Sequence, residues 1–204
     1  MTKKNYTGLV IRYAITDGVR LGADFVARRD GLLRDAVRWV DEGVEYVQLR
    51  EKDLDVAALM EIAAAMMAIF RGHGGGTKLL VNGRADVACA VGADGVHLTS
   101  AKDEMTVAQV KALMGASVVS VSCHSVDDVA KANGADLILF GPVIEKRVGG
   151  KVVVEGTGME ALREACRAAD GVPVLALGGV GAGDVAECLR MGAAGVAGIR
   201  MFAR

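Results

Sequence analysis

Eight short β-type runs, seven helix-type segments alternating with them, and a Gly-Ala-Asp or Gly-Ala-Ala joint recurring at 92–94, 134–136 and 192–194 predict an α/β fold, a TIM (βα)8 barrel. The strand runs are 11–16, 46–50, 78–82, 95–98, 118–122, 137–141, 174–177 and 195–199. The helical segments between them are 32–42, 56–71, 84–91, 106–114, 126–133, 159–169 and 182–191. Ser125 is placed to cap one helix at its start, and Gly43, Gly92, Gly115, Gly134 and Gly192 are placed to end five. Repeated βα units with right-handed crossovers close into a ring more naturally than into a doubly wound open sheet, which is the rival architecture. The eighth unit lacks its helix, because only residues 201–204 follow the last strand. That predicts an uncovered apolar flank, and with it either a homo-oligomer, most simply a dimer, formed over the flank or an eighth helix lost by truncation.

The chain has 204 residues, enough for one substantial core, and is read as a single domain over 1–204. Its hydrophobic content is 52% and its mean hydropathy +0.34. The longest apolar runs, 63–70 and 172–177, fall far short of the roughly 20 residues that span a bilayer. The excess is therefore assigned to buried parallel strands, and no membrane is expected. The net charge is −1 and the longest basic block is Lys3–Lys4, which gives nucleic acid no electrostatic footing and leaves small molecules as partners. The first residues carry no apolar leader, and Cys89, Cys123, Cys166 and Cys188 have neither metal-type nor disulfide-type spacing, so a reduced, cytoplasmic setting is expected.

A barrel of this kind works at the carboxyl ends of its strands, so polar residues there are the functional candidates. The second strand ends Gln48-Leu49-Arg50-Glu51-Lys52. A period of two places Gln48, Arg50 and Lys52 on one face, a row suited to a phosphate or diphosphate; a rim paired with Glu51 and Asp53 is the structural alternative. Asn82 and Gly83 close the third strand. His97 in the fourth reads as a hydrogen-bonded core residue rather than a functional one. The fifth delivers Ser122, Cys123 and His124 together at the mouth, and His124 is the best acid–base candidate in the chain. Nothing marks Cys123 as an activated thiolate. The segment 141–158 is the longest after any strand, carries Lys146, Arg147 and Lys151 among glycines, and is expected to be a mobile loop that closes over substrate. Gly178–Gly179 and Gly198–Ile199 follow the seventh and eighth strands, where this fold commonly holds phosphate on backbone amides.

In order and spacing, YAITD at 13–17, QLREK at 48–52, GADGVHL at 92–98, SVSCHS at 120–125, GADLILFGPV at 134–143 and LALGGV at 175–180 resemble the thiamine phosphate synthase and TenI superfamily over nearly the whole chain. The resemblance implies one of two activities. A synthase joins hydroxymethylpyrimidine diphosphate to thiazole phosphate with loss of diphosphate and uses Mg2+; a TenI-type tautomerase shifts a proton on carboxythiazole phosphate and uses no metal. It implies that Gln48, Arg50, Lys52, Asn82 and Ser122 hold the pyrimidine diphosphate, and that Gly178, Gly179, Gly198 and Ile199 cradle the thiazole phosphate. Three departures stand out. Gly83 replaces the aspartate expected after Asn82. The second metal aspartate aligns with Lys102, so that Asp103 would have to serve. Glu145-Lys146-Arg147 replaces a Thr-x-Thr-Lys loop, leaving Lys146 as the substrate contact there. Asn82-Gly83-Arg84 and His124-Ser125 match the tautomerase pattern, whereas QLREK matches the synthase; synthase is the leading expectation, with the tautomerase and a binding-only barrel as alternatives.

Overall fold

When each strand is followed by a helix that returns the chain to the same starting edge, all the strands run parallel and the sheet must be covered outside by helices. The computed structural model has this arrangement and describes residues 10–74, 76–99, 101, 103–149 and 151–203. Its elements are β1 (Ile11–Ile15), α1 (Phe25–Asp41), β2 (Tyr46–Leu49), α2 (Val56–Gly72), β3 (Lys78–Asn82), α3 (Ala85–Val91), β4 (Gly95–Leu98), α4 (Val107–Met114), β5 (Val118–Cys123), α5 (Val126–Lys131), β6 (Leu137–Phe140), β7 (Lys146–Val148), β8 (Lys151–Val154), α6 (Gly158–Ala168), β9 (Val174–Leu177), α7 (Val185–Arg190) and β10 (Gly195–Gly198). The barrel closes in the order β1-β10-β9-β6-β5-β4-β3-β2, with all its pairs parallel. The open-sheet alternative is thereby excluded.

Strand alternation sorts the side chains into two layers. Tyr13, Ile15, Leu80, Leu137, Leu139, Leu175 and Ala197 fill the barrel. Residues of opposite parity, among them Val47, Leu49, Val81, Val96, Val121, Cys123 and Phe140, pack outward against the helices. This parity decides which polar side chains at the strand ends can reach the mouth.

Two elements differ from the sequence reading. Helix α1 begins seven residues earlier than the apolar run suggests, at Phe25, where the Asp24 side chain accepts the Ala27 amide at 2.8 Å. Its first two turns carry Arg28, Arg29 and Asp30 and contain Gly31, where a Cβ would lie 2.8 Å from that of Leu21, so the glycine serves close packing rather than helix termination. The long segment after β6 contains an antiparallel hairpin, β7–β8. The Gly149–Gly150 pair between β-branched runs is its sequence signal.

After β10 comes a 3₁₀ turn, Arg200–Phe202, where an eighth helix would stand. The flank expected to lie bare is occupied by Phe202, 3% exposed, whose carbonyl accepts from Trp39 Nε1 at 3.0 Å and Arg38 Nη2 at 2.6 Å. The Arg12 guanidinium lies 5.5 Å from the Phe202 ring centroid. Phe202→Ala should therefore cost about 3–5 kcal/mol of stability, measured by urea denaturation. A cost under about 1 kcal/mol would mean that the turn merely rests on the surface. Among the described residues no helix is long and apolar enough to cross a membrane.

Candidate active site

The inward-facing positions at the mouth are polar where those below them are apolar. Gln48, 1% exposed, donates from Nε2 to Asn82 Oδ1 at 2.8 Å, linking β2 to β3. Its Oε1 is buried and has no hydrogen-bond partner among the described residues. An unpaired buried acceptor is costly, and a ligand donor placed there would recover that cost. Arg50 extends the same column: its backbone amide donates to Thr16 Oγ1 at 2.8 Å, and the guanidinium lies close enough to His97 to disfavour a second positive charge there. The strand ends at Leu49, so alternation carries to Arg50 but not to Lys52, which stands exposed in the following turn. Lys52 instead borders a cavity of about 330 Å³ with Asn82, Gly83 and Arg84.

The expected alternative, a rim in which Glu51 and Asp53 neutralise Arg50 and Lys52, is not what forms. A residue that sequence reasoning missed, Arg28 of α1, takes both carboxylates. Its Nη1 and Nη2 grip Asp53 at 2.6 and 2.9 Å, and Nη2 also reaches Glu51 Oε2 at 2.8 Å. Glu51 Oε1 and Oε2 further accept the Gly18 amide at 3.0 and 3.1 Å. The Arg28 guanidinium holds the Asp53 carboxyl down at about 2. Among the described residues neither Arg50 nor Lys52 has an ion pair.

Inside the barrel, His97 bridges two hydroxyls, with Nδ1 at 2.8 Å from Ser120 Oγ and Nε2 at 2.9 Å from Ser122 Oγ; Ser120 in turn lies 3.0 Å from the Tyr13 hydroxyl. Burial, with the Arg50 charge adding to it, pushes His97 down to about 3, so it is neutral. Tyr13 is wholly buried and Ser120 is the one partner its hydroxyl has among the described residues, so Tyr13 donates to Ser120. Ser120 then donates to Nδ1, the imidazole proton sits on Nε2, and Nε2–H donates to Ser122. The chain thus fixes the His97 tautomer and orients the Ser122 hydroxyl. His97 is a hydrogen-bonded core residue, as expected, but one in contact with a candidate binding group.

Cys123 is not at the mouth with its neighbours. Its parity is opposite to that of Ser122, and it packs into the helix layer, where burial, with the nearby Asp128 adding to it, pushes the thiol up to about 12. His124 is exposed at the end of β5; its Nδ1–H donates to the Gly141 carbonyl at 2.5 Å, leaving Nε2 as the basic nitrogen. Asp128 accepts the His124 and Ser125 amides at 3.0 and 2.9 Å, which fixes where the imidazole starts.

The expected metal ligand Asp103 is exposed. The carboxylate brought to the β3 turn belongs to the next residue, Glu104. Its Oε2 accepts the Thr99 amide at 2.5 Å, and its Oε1 lies 3.0 Å from where a Cβ at Gly83 would stand. The side chain thus occupies the neighbourhood an aspartate at 83 would fill. Among the described residues no three His, Cys, Asp or Glu side chains gather as a metal centre. One carboxylate together with ligand phosphate oxygens is nonetheless a donor set that Mg2+ accepts. Lys102 lies outside the described residues, as does the side chain of Lys146 on β7.

Opposite, the Gly178–Gly179 turn after β9 is shaped by the segment after β6: Val143 and Ile144 donate to the Leu177 and Gly178 carbonyls at 2.8 and 3.0 Å. Gly179 has φ +71° and a Cβ there would come within 2.4 Å of the Ile144 carbonyl oxygen, so only glycine fits. No acceptor among the described residues engages the Gly179 or Val180 amide. The neighbouring strand β10 ends at Gly198, and Ile199 leads into the 3₁₀ turn, whose first amides have no partner within it.

A closed barrel with cationic groups at one part of its mouth and a free-amide glycine turn at another has the make-up of a (βα)8-barrel enzyme suited to phosphorylated ligands. The family model described as thiamine monophosphate synthase matches residues 13–202, so the chain belongs to that family. A provisionally named thiamine-phosphate synthase of Geobacter sulfurreducens is 40% identical over 91% of this chain and 83% of its own. The thiamine-phosphate synthase of Caldanaerobacter subterraneus subsp. tengcongensis is 35% identical over 92% of this chain and 83% of its own. Among solved structures, the thiamine phosphate pyrophosphorylase from Pyrococcus furiosus superposes with a TM-score of 0.76 at 27% identity, over 96% of this chain and 89% of that one.

Proposed function

We infer that this enzyme couples hydroxymethylpyrimidine diphosphate to thiazole phosphate and releases diphosphate, as a thiamine-phosphate synthase. The observation that carries the reading is the inward column at the ends of β2, β3 and β5: the unpaired Gln48 Oε1, Asn82, the Arg50 guanidinium and Ser122. Gln48 Oε1 suits the amino group of an aminopyrimidine, and Arg50 and Lys52 suit the diphosphate beyond it. Gly178, Gly179, Gly198 and Ile199 would hold the thiazole phosphate, and the sequence pattern adds Lys146 as a substrate contact. Mg2+, when bound, would add positive charge to the leaving diphosphate; Glu104, whose carboxylate lies beside Gly83, would hold it, in preference to the exposed Asp103.

In the reaction the bond between the pyrimidine methylene and the diphosphate oxygen breaks, and the thiazole nitrogen forms a bond to that methylene. Arg50 and Lys52 stabilise charge that builds on the departing oxygens, which is worth most where water is excluded. Neutral His97 beneath them adds no positive charge beside an electron-poor methylene.

A second reading rests on His124, whose Nε2 is basic and faces no partner among the described residues: a tautomerase that moves a proton on carboxythiazole phosphate without metal. Incubating the protein with the two synthase substrates should give thiamine phosphate and diphosphate in equal amounts, dependent on Mg2+. Folded protein that binds thiazole phosphate, yields no product at any Mg2+ concentration and aromatises the carboxythiazole isomer would replace the first reading by the second.

A further inference from the structure

We propose that Arg28 is a positioning residue for the anion clamp, holding the Glu51 and Asp53 carboxylates away from Arg50 and Lys52; this rests on reading that clamp as the diphosphate site. Charges alternate along 50–53, so the segment by itself is neutral and each cation has a carboxylate beside it in the chain. With Arg28 bound, the same segment and its partner carry one net positive charge. The arrangement is built rather than incidental. Glu51 is 5% exposed and a Cβ at Gly18 would come within 2.6 Å of its Oε2, so the turn after β1 closes around the carboxylate on one side while Arg28 holds it on another. Asp53, otherwise exposed, is pinned by both terminal nitrogens of Arg28 in a two-bond grip that fixes direction as well as distance.

A purely structural role would not call for this chemistry. Taking Arg28 and Glu51 out of water costs more than an apolar pair of the same volume would, and Arg28 Nε is left buried without a partner. The guanidinium is therefore aimed at two carboxylates at the expense of one of its own donors. Neutralising them is the effect that the clamp needs, since an anion approaching Arg50 and Lys52 feels every charge within a Debye length.

The test is calorimetric titration with inorganic diphosphate of the wild type, Arg28→Met, Arg28→Lys and the triple variant Arg28→Met/Glu51→Gln/Asp53→Asn. The wild type should bind; Arg28→Met should bind about tenfold more weakly, from one lost unit charge at this range. The triple variant keeps Arg50 and Lys52 with no carboxylate left to restrain, one more positive charge than the wild type, so it should bind at least as tightly as the wild type. Folded Arg28→Met that binds like the wild type overturns the proposal, and so does a triple variant as weak as Arg28→Met, which would mark Arg28 as scaffold. Arg28→Lys, which keeps the charge, should bind within about threefold of the wild type; should Arg28→Met not fold, the triple variant decides, binding at or above the wild-type level supporting the proposal and binding about tenfold weaker overturning it. A wild type that does not bind diphosphate removes the clamp reading itself, and the proposal with it.

Discussion

Arg50→Met lowers kcat/KM for thiamine phosphate formation by about 10²- to 10³-fold, the effect of removing one preorganised charge from a site where negative charge develops. The protein should remain folded, because the Arg50 side chain makes no ion pair among the described residues and the backbone amide that binds Thr16 is unaltered by the change. The loss should fall mainly on kcat, since the charge on the diphosphate oxygens grows as the carbon–oxygen bond breaks. Lys52→Met should cost less, about tenfold, because the ammonium is exposed on a turn and screened by water and salt. Steady-state kinetics on both variants separate the roles. An Arg50→Met enzyme within about threefold of the wild type would mean that diphosphate leaves by another route and that the inward column is not the pyrimidine side of the site.

The ranking of these two cations was only partly readable beforehand. A period of two puts Gln48, His97, Ser120 and Ser122 on the inner face, because a closed barrel enforces alternation on every strand, and Arg50 continues that parity one residue past the end of β2. It cannot be carried past the strand's end to Lys52, and it was not applied to Cys123, whose odd parity relative to Ser122 turns the thiol outward. Arg28 was invisible for a different reason. It stands in a polar stretch before the apolar face of α1 begins, and its partners lie 23 and 25 residues further along the chain. Nothing local announces an ion pair that only barrel closure creates. The β7–β8 hairpin is legible in the Gly149–Gly150 pair, although the basic residues beside it mask the strand pattern.

The carboxylate at the β3 turn shows the limit of alignment by position. Asp103 and Glu104 are adjacent and chemically alike, and loop conformation alone sends one to solvent and the other over Gly83. Glu104→Gln should raise the Mg2+ concentration for half-maximal activity about tenfold or more, the scale set by loss of a metal-site partner. The amide oxygen of glutamine can still accept the Thr99 amide, so the loop should keep its shape while the charge is lost. Asp103→Asn should leave the requirement unchanged. An independent readout is Mn2+ binding in the presence of diphosphate, followed by the paramagnetic signal of free metal: Glu104→Gln should weaken it and Asp103→Asn should not. Gly83→Asp sharpens the argument. At φ +62° aspartate is among the better tolerated side chains, yet its Cβ would stand 3.0 Å from Glu104 Oε1, crowding two carboxylates that only a cation reconciles. That variant should lose thermal stability without metal and regain it when Mg2+ and diphosphate are added, and Gly83→Asp/Glu104→Gln should show neither effect. If Asp103→Asn instead carried the metal phenotype, the loop would have to rearrange on binding and Glu104 would be a structural cap of the Thr99 amide alone.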